Sequence, residues 1–213
     1  RQGEKTLYHI YGELCKDKPD LSKVPNILYK DGNQILRTVK VPENISLDED
    51  PIKEFTFYKN HMKPPVYVRT AISCSLHCAF CRYPILGGEL MYMNLDSIEK
   101  NLDYIHSIGI RYIIDDSLNI PLDRFKDILR LMIRKKYGFR WCSFFRISHS
   151  DEETYELMEQ SGCLGVILGV ESGNNTILKN MDKRVTKEKL YWGIQQLTIH
   201  NIISYASCVI GFP

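Results

Sequence analysis

A marked excess of charge of either sign is missing from this chain. Its 213 residues carry 28 lysines and arginines against 26 aspartates and glutamates, a net charge of +2. That balance gives no electrostatic basis for gripping nucleic acid or an acidic membrane surface. Missing too is any apolar run long enough to span a bilayer, and no secretory signal pattern stands at the start. The cysteines do not form an even set. There are seven, in a chain too large to need a disulfide framework, so free thiols and a reducing, cytoplasmic setting are expected. What remains is an ordinary folded composition, 44% hydrophobic and 25% charged. The length suits one sizeable core and is short for two full domains.

Residues 1–65 differ from the rest. They hold six of the nine prolines and show little sustained periodicity. Two strand-like pieces, 26–29 and 34–39, flank Asp31-Gly32 and predict a hairpin. Asp48–Pro51 and Lys63–Pro65 read as linker, so the segment is expected to be a connector between domains. The chain begins at Arg1 and stops at Gly211-Phe212-Pro213, where a loop should start, and is read as part of a longer polypeptide.

From Val66 onward strands alternate with helices. Strands are predicted at 66–71, 111–114, 140–145, 165–170 and 202–210. Helices are predicted near 94–108, near 121–137, after a capping box at Ser150–Glu153, and from Thr186. Asn94 should cap the first of these and Gly109 end it. Such alternation means parallel strands joined by crossovers, and ligands then gather at the carboxyl ends of the strands. Polar clusters fall at those ends: Asp115 and Asp116 after the second strand, Arg146 and His149 after the third, Glu171 and Ser172 after the fourth.

After the first strand come Cys74, Cys78 and Cys81, spaced C-x3-C-x2-C. Three thiolates on one short loop can hold three corners of an iron–sulfur cube and leave the fourth iron open. Three other readings stand beside this one. Buried packing cysteines must contend with polar Ser73, Ser75 and Arg82 nearby. Structural zinc needs a fourth ligand, and His77 is crowded against Cys78, with no second Cys-x2-Cys pair downstream. A dithiol motif at Cys78–Cys81 belongs at a helix start, whereas a loop is expected from there to the helix at 94. Cys142, Cys163 and Cys208 are read as core, His77 and His149 as structural, and Gly87-Gly88 as a flexible turn.

The cysteine spacing, with Phe80 before the last cysteine and a βα repeat following, resembles the radical S-adenosylmethionine (SAM) superfamily over residues 66–213. The resemblance implies an α/β fold: a partial (βα)6 barrel of parallel strands, cut at its C-terminal side and preceded by an α/β connector. It implies that Cys74, Cys78 and Cys81 ligate a 4Fe–4S cluster whose open iron binds SAM, so that an electron from the cluster releases a 5′-deoxyadenosyl radical. Phe80 would lie against the adenine. Gly169-Val-Glu-Ser-Gly173 is similar to the fourth-strand motif and points to Glu171 as a ribose contact. Asn180–Arg184 is similar to a basic stretch holding the SAM carboxylate through Lys183 or Arg184, Asp115 or Asp116 would take a polar role in the same site, and Arg146 would either bind SAM or only pair with a neighbouring carboxylate. Ser207–Pro213 looks like the fifth-strand motif behind the adenine. Gly87-Gly88-Glu89 is not the family's Gly-Gly-Glu, because it lies six residues after the cysteines, before the first helix.

Ile72-Ser-Cys74, Cys81-Arg-Tyr-Pro84, Asp115–Asn119, Ser143–Arg146 and Gly169–Gly173 together resemble the cobalamin-dependent (class B) methyltransferases, in the group that includes phosphinate P-methyltransferases. That implies cobalamin bound by a domain upstream of the connector, since Asp-x-His-x-x-Gly occurs nowhere in this chain. It implies methylation of a small-molecule or peptide substrate, with flavodoxin or ferredoxin as electron donor. A methylthiotransferase or other radical SAM enzyme, and a non-catalytic metal-stabilised binding module, stand as alternatives.

Overall fold

The computed structural model describes residues 3–41, 46–49, 65–115 and 120–213. They divide into two compact units, Arg1–Ile45 and Ser46–Pro213. The first holds helix α1 (Glu4–Leu14) and an antiparallel hairpin, β1 (Leu28–Asp31) and β2 (Gln34–Arg37). The hairpin turns on Gly32-Asn33, with Gly32 at φ +55°, the backbone that a two-residue loop demands and glycine supplies. Helix α1 was not expected. Its apolar residues Leu7, Tyr8, Tyr11 and Leu14 are exposed, and its buried face is polar, with Thr6 and Glu13. The Asn26 amide donates to Thr6 Oγ1 at 3.2 Å, and Val41 N donates to Asn26 Oδ1 at 2.7 Å. Most of the expected linker residues lie outside the described residues. Leu47–Glu49 forms a 3-10 turn; Leu47 is buried, and Asp48 accepts from Asn94 N at 2.7 Å.

The second unit is an α/β array. Five strands, β3 (Val66–Val68), β6 (Tyr112–Asp115), β7 (Arg140–Phe145), β8 (Cys163–Glu171) and β9 (Ile203–Cys208), pair in parallel in that order. Consecutive parallel strands need crossovers. These are α3 (Leu95–Ser107), α4 (Leu122–Lys135), α5 (Glu152–Gln160) and α7 (Lys187–Ile199). The expected helix periodicity is the buried one, with Ile98, Leu102 and Ile105 on α3 and Phe125, Leu129 and Met132 on α4 all in the core. Asn94 caps α3 by accepting from Ser97 N at 2.7 Å, and Gly109 follows it at φ +83°. Registered neighbours share a face of the sheet. Ile113 and Trp141, and Ser143 and Val166, lie on the buried face. The other face carries Phe144, Ile167 and Tyr205, all partly open to solvent. Among the described residues the sheet is open, with edges at β3 and β9, and no helix is long and apolar enough to cross a membrane.

Four local expectations need correction. The strand expected at 66–71 stops at Val68, and Ala71–Ile72 (β4) pairs antiparallel with Met91–Tyr92 (β5). The chain must leave the sheet here to carry the cysteine loop. The loop expected between Cys81 and residue 94 contains a short helix, α2 (Tyr83–Gly87), with Pro84 in its first turn. The short helix α6 (Asn175–Asn180) was not anticipated; Asn174 caps it, accepting from Thr176 N and Ile177 N. The capping box of α5 is shifted by one residue. Asp151 is the N-cap and Thr154 its partner, because the hydroxyl of Ser150 is drawn inward to Tyr155 Oη at 2.6 Å and Ile147 O at 2.8 Å.

Lys126 on α4 is 5% exposed and reaches Asp151 at 2.6 Å and Glu153 at 2.7 Å. Burial alone would raise the Asp151 carboxyl, but hydrogen bonds from Lys126 and Thr154 outweigh it and bring the pKa from 3.8 down to about 2. A carboxyl depressed on folding stabilises the protein above its unfolded pKa and loses that contribution as pH falls through the folded one. Replacing Asp151 with Ala should cost about 1 kcal/mol at neutral pH. Asp151→Asn keeps a capping oxygen and should flatten the acid dependence between pH 3.8 and about 2. Denaturant unfolding across that range checks both; an Asn variant with unchanged acid dependence would show the ion pair to be idle.

Candidate functional site

Parallel pairing brings the carboxyl ends of the strands to one rim. There Cys74, Cys78, Cys81, Phe80, Arg146, Glu171 and Lys183 line one cleft of about 210 Å³, with Phe144, Ile167 and Leu168 supplying an apolar wall. Seven of the ten residues named from sequence are thus brought together.

The cysteine loop is held from both sides. Ser73 enters it at φ +74°, its Oγ donating to Gly88 O at 2.7 Å and its N–H donating to Tyr83 Oη at 3.2 Å. A side chain at Gly87 would press on Ser73 Cβ at 3.0 Å. The Gly87-Gly88 pair is therefore a close approach that seats the loop rather than a flexible turn. On the far side Ala79 N donates to Met181 O at 2.9 Å, and Cys81 N closes a turn onto Cys78 O at 2.9 Å. Cys78 is buried, and Cys74 and Cys81 are half-buried.

Glu171 and Lys183 form an ion pair at 3.0 Å, each side chain 10% exposed. Strand β8 makes it possible. Its register with β9 slips between Gly169 and Glu171, and Glu171 takes a left-handed backbone at φ +62°, as bulges do where a side chain must be re-aimed. Its carboxylate then lies over Gly169, where a Cβ would collide with both Glu171 and Lys183. The Lys183 ammonium sits 5.8 Å from the Phe80 ring centroid, and Phe80 meets Phe212 edge to face at 6.3 Å. Ser73, Glu171, Asp182 and Arg184 are four of the seven described non-glycine residues at positive φ. Glu171 lines the cleft and each of the others is next in sequence to a residue that does, the kind of backbone cost that packed functional sites sustain.

The remaining candidates lie elsewhere. Asp115 is buried on the helix-covered face, accepting from Thr70 Oγ1 at 2.7 Å. Asp116 lies outside the described residues. Arg184 turns away to Asp182 at 3.1 Å, leaving Lys183 as the basic group of that stretch at the cleft. His77 and His149 are exposed. Cys163 is buried, which together with nearby Cys142 pushes its thiol well up. Cys142 is half-buried and Cys208 exposed, so only Cys163 is a core residue in the expected sense.

The donor set fits an iron–sulfur cube. All three thiols are free and border the same cleft. Among the described residues no three His, Cys, Asp or Glu side chains converge on a point where a single ion would sit. A cube takes one thiolate per iron and asks for no such convergence. Sequence reasoning missed the reach of Arg146 to Cys78 Sγ, at 3.6 Å, and the need for glycine at 169. The first leaves no local signal, while the second was visible only as part of a motif.

The sequence pattern of the Radical SAM superfamily matches residues 68–213. An uncharacterized methyltransferase of Pyrococcus horikoshii is 24% identical over 221 residues, covering 100% of this chain and 48% of its own length. The ribosomal protein uS12 methylthiotransferase RimO of Clostridium botulinum is 25% identical over 227 residues, covering 100% of this chain and 43% of its own. The chain thus spans a little under half the length of these curated relatives. The radical SAM methyltransferase TsrM from Kitasatospora setae, solved with cobalamin and a [4Fe-4S] cluster bound, superposes with a TM-score of 0.72 at 18% identity, over 99% of this chain and 46% of its own.

Removing one partner of a buried ion pair strands the other. Lys183→Met should therefore lower stability by about 3 kcal/mol, and adding Glu171→Met should recover much of the loss. A double-mutant cycle read by denaturant unfolding checks this; additive losses would mean that the two side chains do not interact.

Proposed function

Since the chain belongs to the Radical SAM superfamily, we propose that it is the radical-generating part of a cobalamin-dependent methyltransferase acting on a small molecule or peptide. The observation that carries the radical SAM part is the meeting of Cys74, Cys78 and Cys81 with Phe80, Arg146, Glu171 and Lys183 around one cleft. The methyltransferase part is supported by the name of the Pyrococcus relative. It is supported also by the extent of the likeness to TsrM, which reaches beyond the strand–helix array into residues 1–65. In this reading residues 1–65 connect to an upstream cobalamin-binding domain, and residues 66–213 are the core.

When bound, the cluster held by the three cysteines supplies the electron that splits SAM, and cobalamin supplies a methyl carrier. The chain's own residues orient and exclude. Phe80 offers a flat apolar surface for the adenine, backed by Phe212. Glu171 and Lys183 stand ready for the ribose hydroxyls and the carboxylate, already desolvated and fixed by each other. Phe144, Ile167 and Leu168 keep that side of the cleft apolar, which limits water beside a reactive species.

A methylthiotransferase is the second reading, favoured by the match to RimO over the whole chain. Cofactor content separates the two. The whole polypeptide, reconstituted anaerobically, should hold about four irons and four sulfides, consume SAM when reduced, and methylate only when cobalamin is present. A second cluster's worth of iron without cobalamin dependence would favour the methylthiotransferase. Methylation that persists when cobalamin is omitted would overturn the cobalamin assignment. Cys78→Ala should lose both the cluster and SAM cleavage.

A further inference from the structure

Arg146 leaves the end of β7 with its guanidinium held at three places. Nε donates to Ser148 Oγ at 2.8 Å, Nη2 donates to Lys183 O, and Nη1 points at Cys78 Sγ at 3.6 Å. Two of these partners are neutral oxygens and the third is a thiol. Among the described residues no carboxylate forms an ion pair with it, whereas the neighbouring Arg184 is paired with Asp182. No carboxylate in contact with Arg146 therefore cancels the charge that it brings to the sulfur, and the Asp182 carboxylate feels that charge only at longer range. Cys78 is also the most buried of the three loop cysteines, so a hydrogen bond there is least screened by water.

A planar fork fixed at two corners aims its third donor with little further loss of freedom. A lysine at the same place would have to hold a flexible chain in position to do the same. Hydrogen bonds to ligating sulfurs, and charge beside them, are among the levers that set the reduction potential of an iron–sulfur cluster. Taking up one electron makes the cluster and its thiolates more negative. A cation donating to one of those thiolates favours the reduced state over the oxidised one.

We propose that Arg146 is a positioning residue that tunes the cluster, its N–H contact with Cys78 Sγ raising the reduction potential and so easing delivery of the electron. The proposal rests on the radical SAM membership and its cluster, not on the cobalamin reading. Arg146 acts through Cys78 and need not touch the substrate.

The test is a redox titration of the anaerobically reconstituted whole protein with dithionite, without SAM, followed by electron paramagnetic resonance of the reduced cluster. Iron and sulfide are measured in each sample, so that the potential refers to assembled clusters only. Arg146→Met should make reduction about tenfold less favourable, a shift of about 59 mV to more negative potential for one electron. Arg146→Lys should fall between Met and the unmodified protein. Equal potentials in all three at full cluster loading would overturn the proposal, and a purely structural role would lower loading or thermal stability without moving the potential. If the Met variant assembles no cluster, the decision falls to Arg146→Lys and to pulsed resonance of protein carrying isotopically labelled arginine. A nitrogen coupling that Arg146→Lys removes supports the contact; the same spectrum in both proteins overturns it. Failure of the unmodified protein to assemble any cluster would instead strike at the functional reading itself.

Discussion

Parallel strands cannot pair next to one another in sequence without a crossover, and a crossover returns every strand to the same starting edge. Here that constraint is met four times, from β3 to β9 in sequential order. Its result is that the residues following each strand share one rim. Cys74 to Cys81 follow β3 and β4, Arg146 follows β7, Glu171 ends β8 and Ser207 lies near the end of β9. No local interaction brings these residues together. The helices make the arrangement rigid through a run of aromatic contacts, Phe125 to Phe145, Phe145 to Tyr155 and Tyr155 to Trp192. That run ties α4, α5 and α7 to the strand that carries Arg146.

Within the rim the chemistry depends on what glycine leaves open. Gly169 has no side chain, so the Glu171 carboxylate and the Lys183 ammonium occupy the space above it. Gly87 has none, so Ser73 closes on it and fixes the entry to the cysteine loop. At both places the neighbouring residue, Glu171 or Ser73, takes a left-handed backbone that most side chains avoid. A cleft built this way presents charge and thiol in a desolvated setting, where electrostatic interactions are stronger than in water.

Much of this was legible beforehand. Helix periodicity placed α3 and α4, Asn94 caps the helix it was expected to cap, and the helix expected from Thr186 begins there. The cysteine spacing and the Gly169–Gly173 segment located two parts of the site. What failed was local competition. Ser150 matched a capping position by type but was claimed by Tyr155, an interaction across α5's first turns that depends on Tyr155 being buried. Asp115 sat at a strand end as a ligand should, yet its side chain turns to the covered face and to Thr70. Strand ends have two faces, and alternation alone does not say which face a particular terminal residue takes. Helix α1 escaped notice because its apolar residues are exposed and its buried ones polar, the reverse of the pattern by which helices are read.

By itself the sequence determined the cysteine spacing that resembles the radical SAM loop and the order of strands and helices, because ligand spacing and hydrophobic period are local properties of a chain. It determined that three thiolates stand on one loop and that an acid and a base follow later in the chain. Only the tertiary structure decided that Glu171 and Lys183 hold each other, that Arg184 turns away to Asp182, and that Arg146 reaches Cys78 across sixty-eight positions of sequence. Such pairings depend on which strand lies beside which and on the depth at which each side chain loses water, and both are settled only when the sheet closes its register.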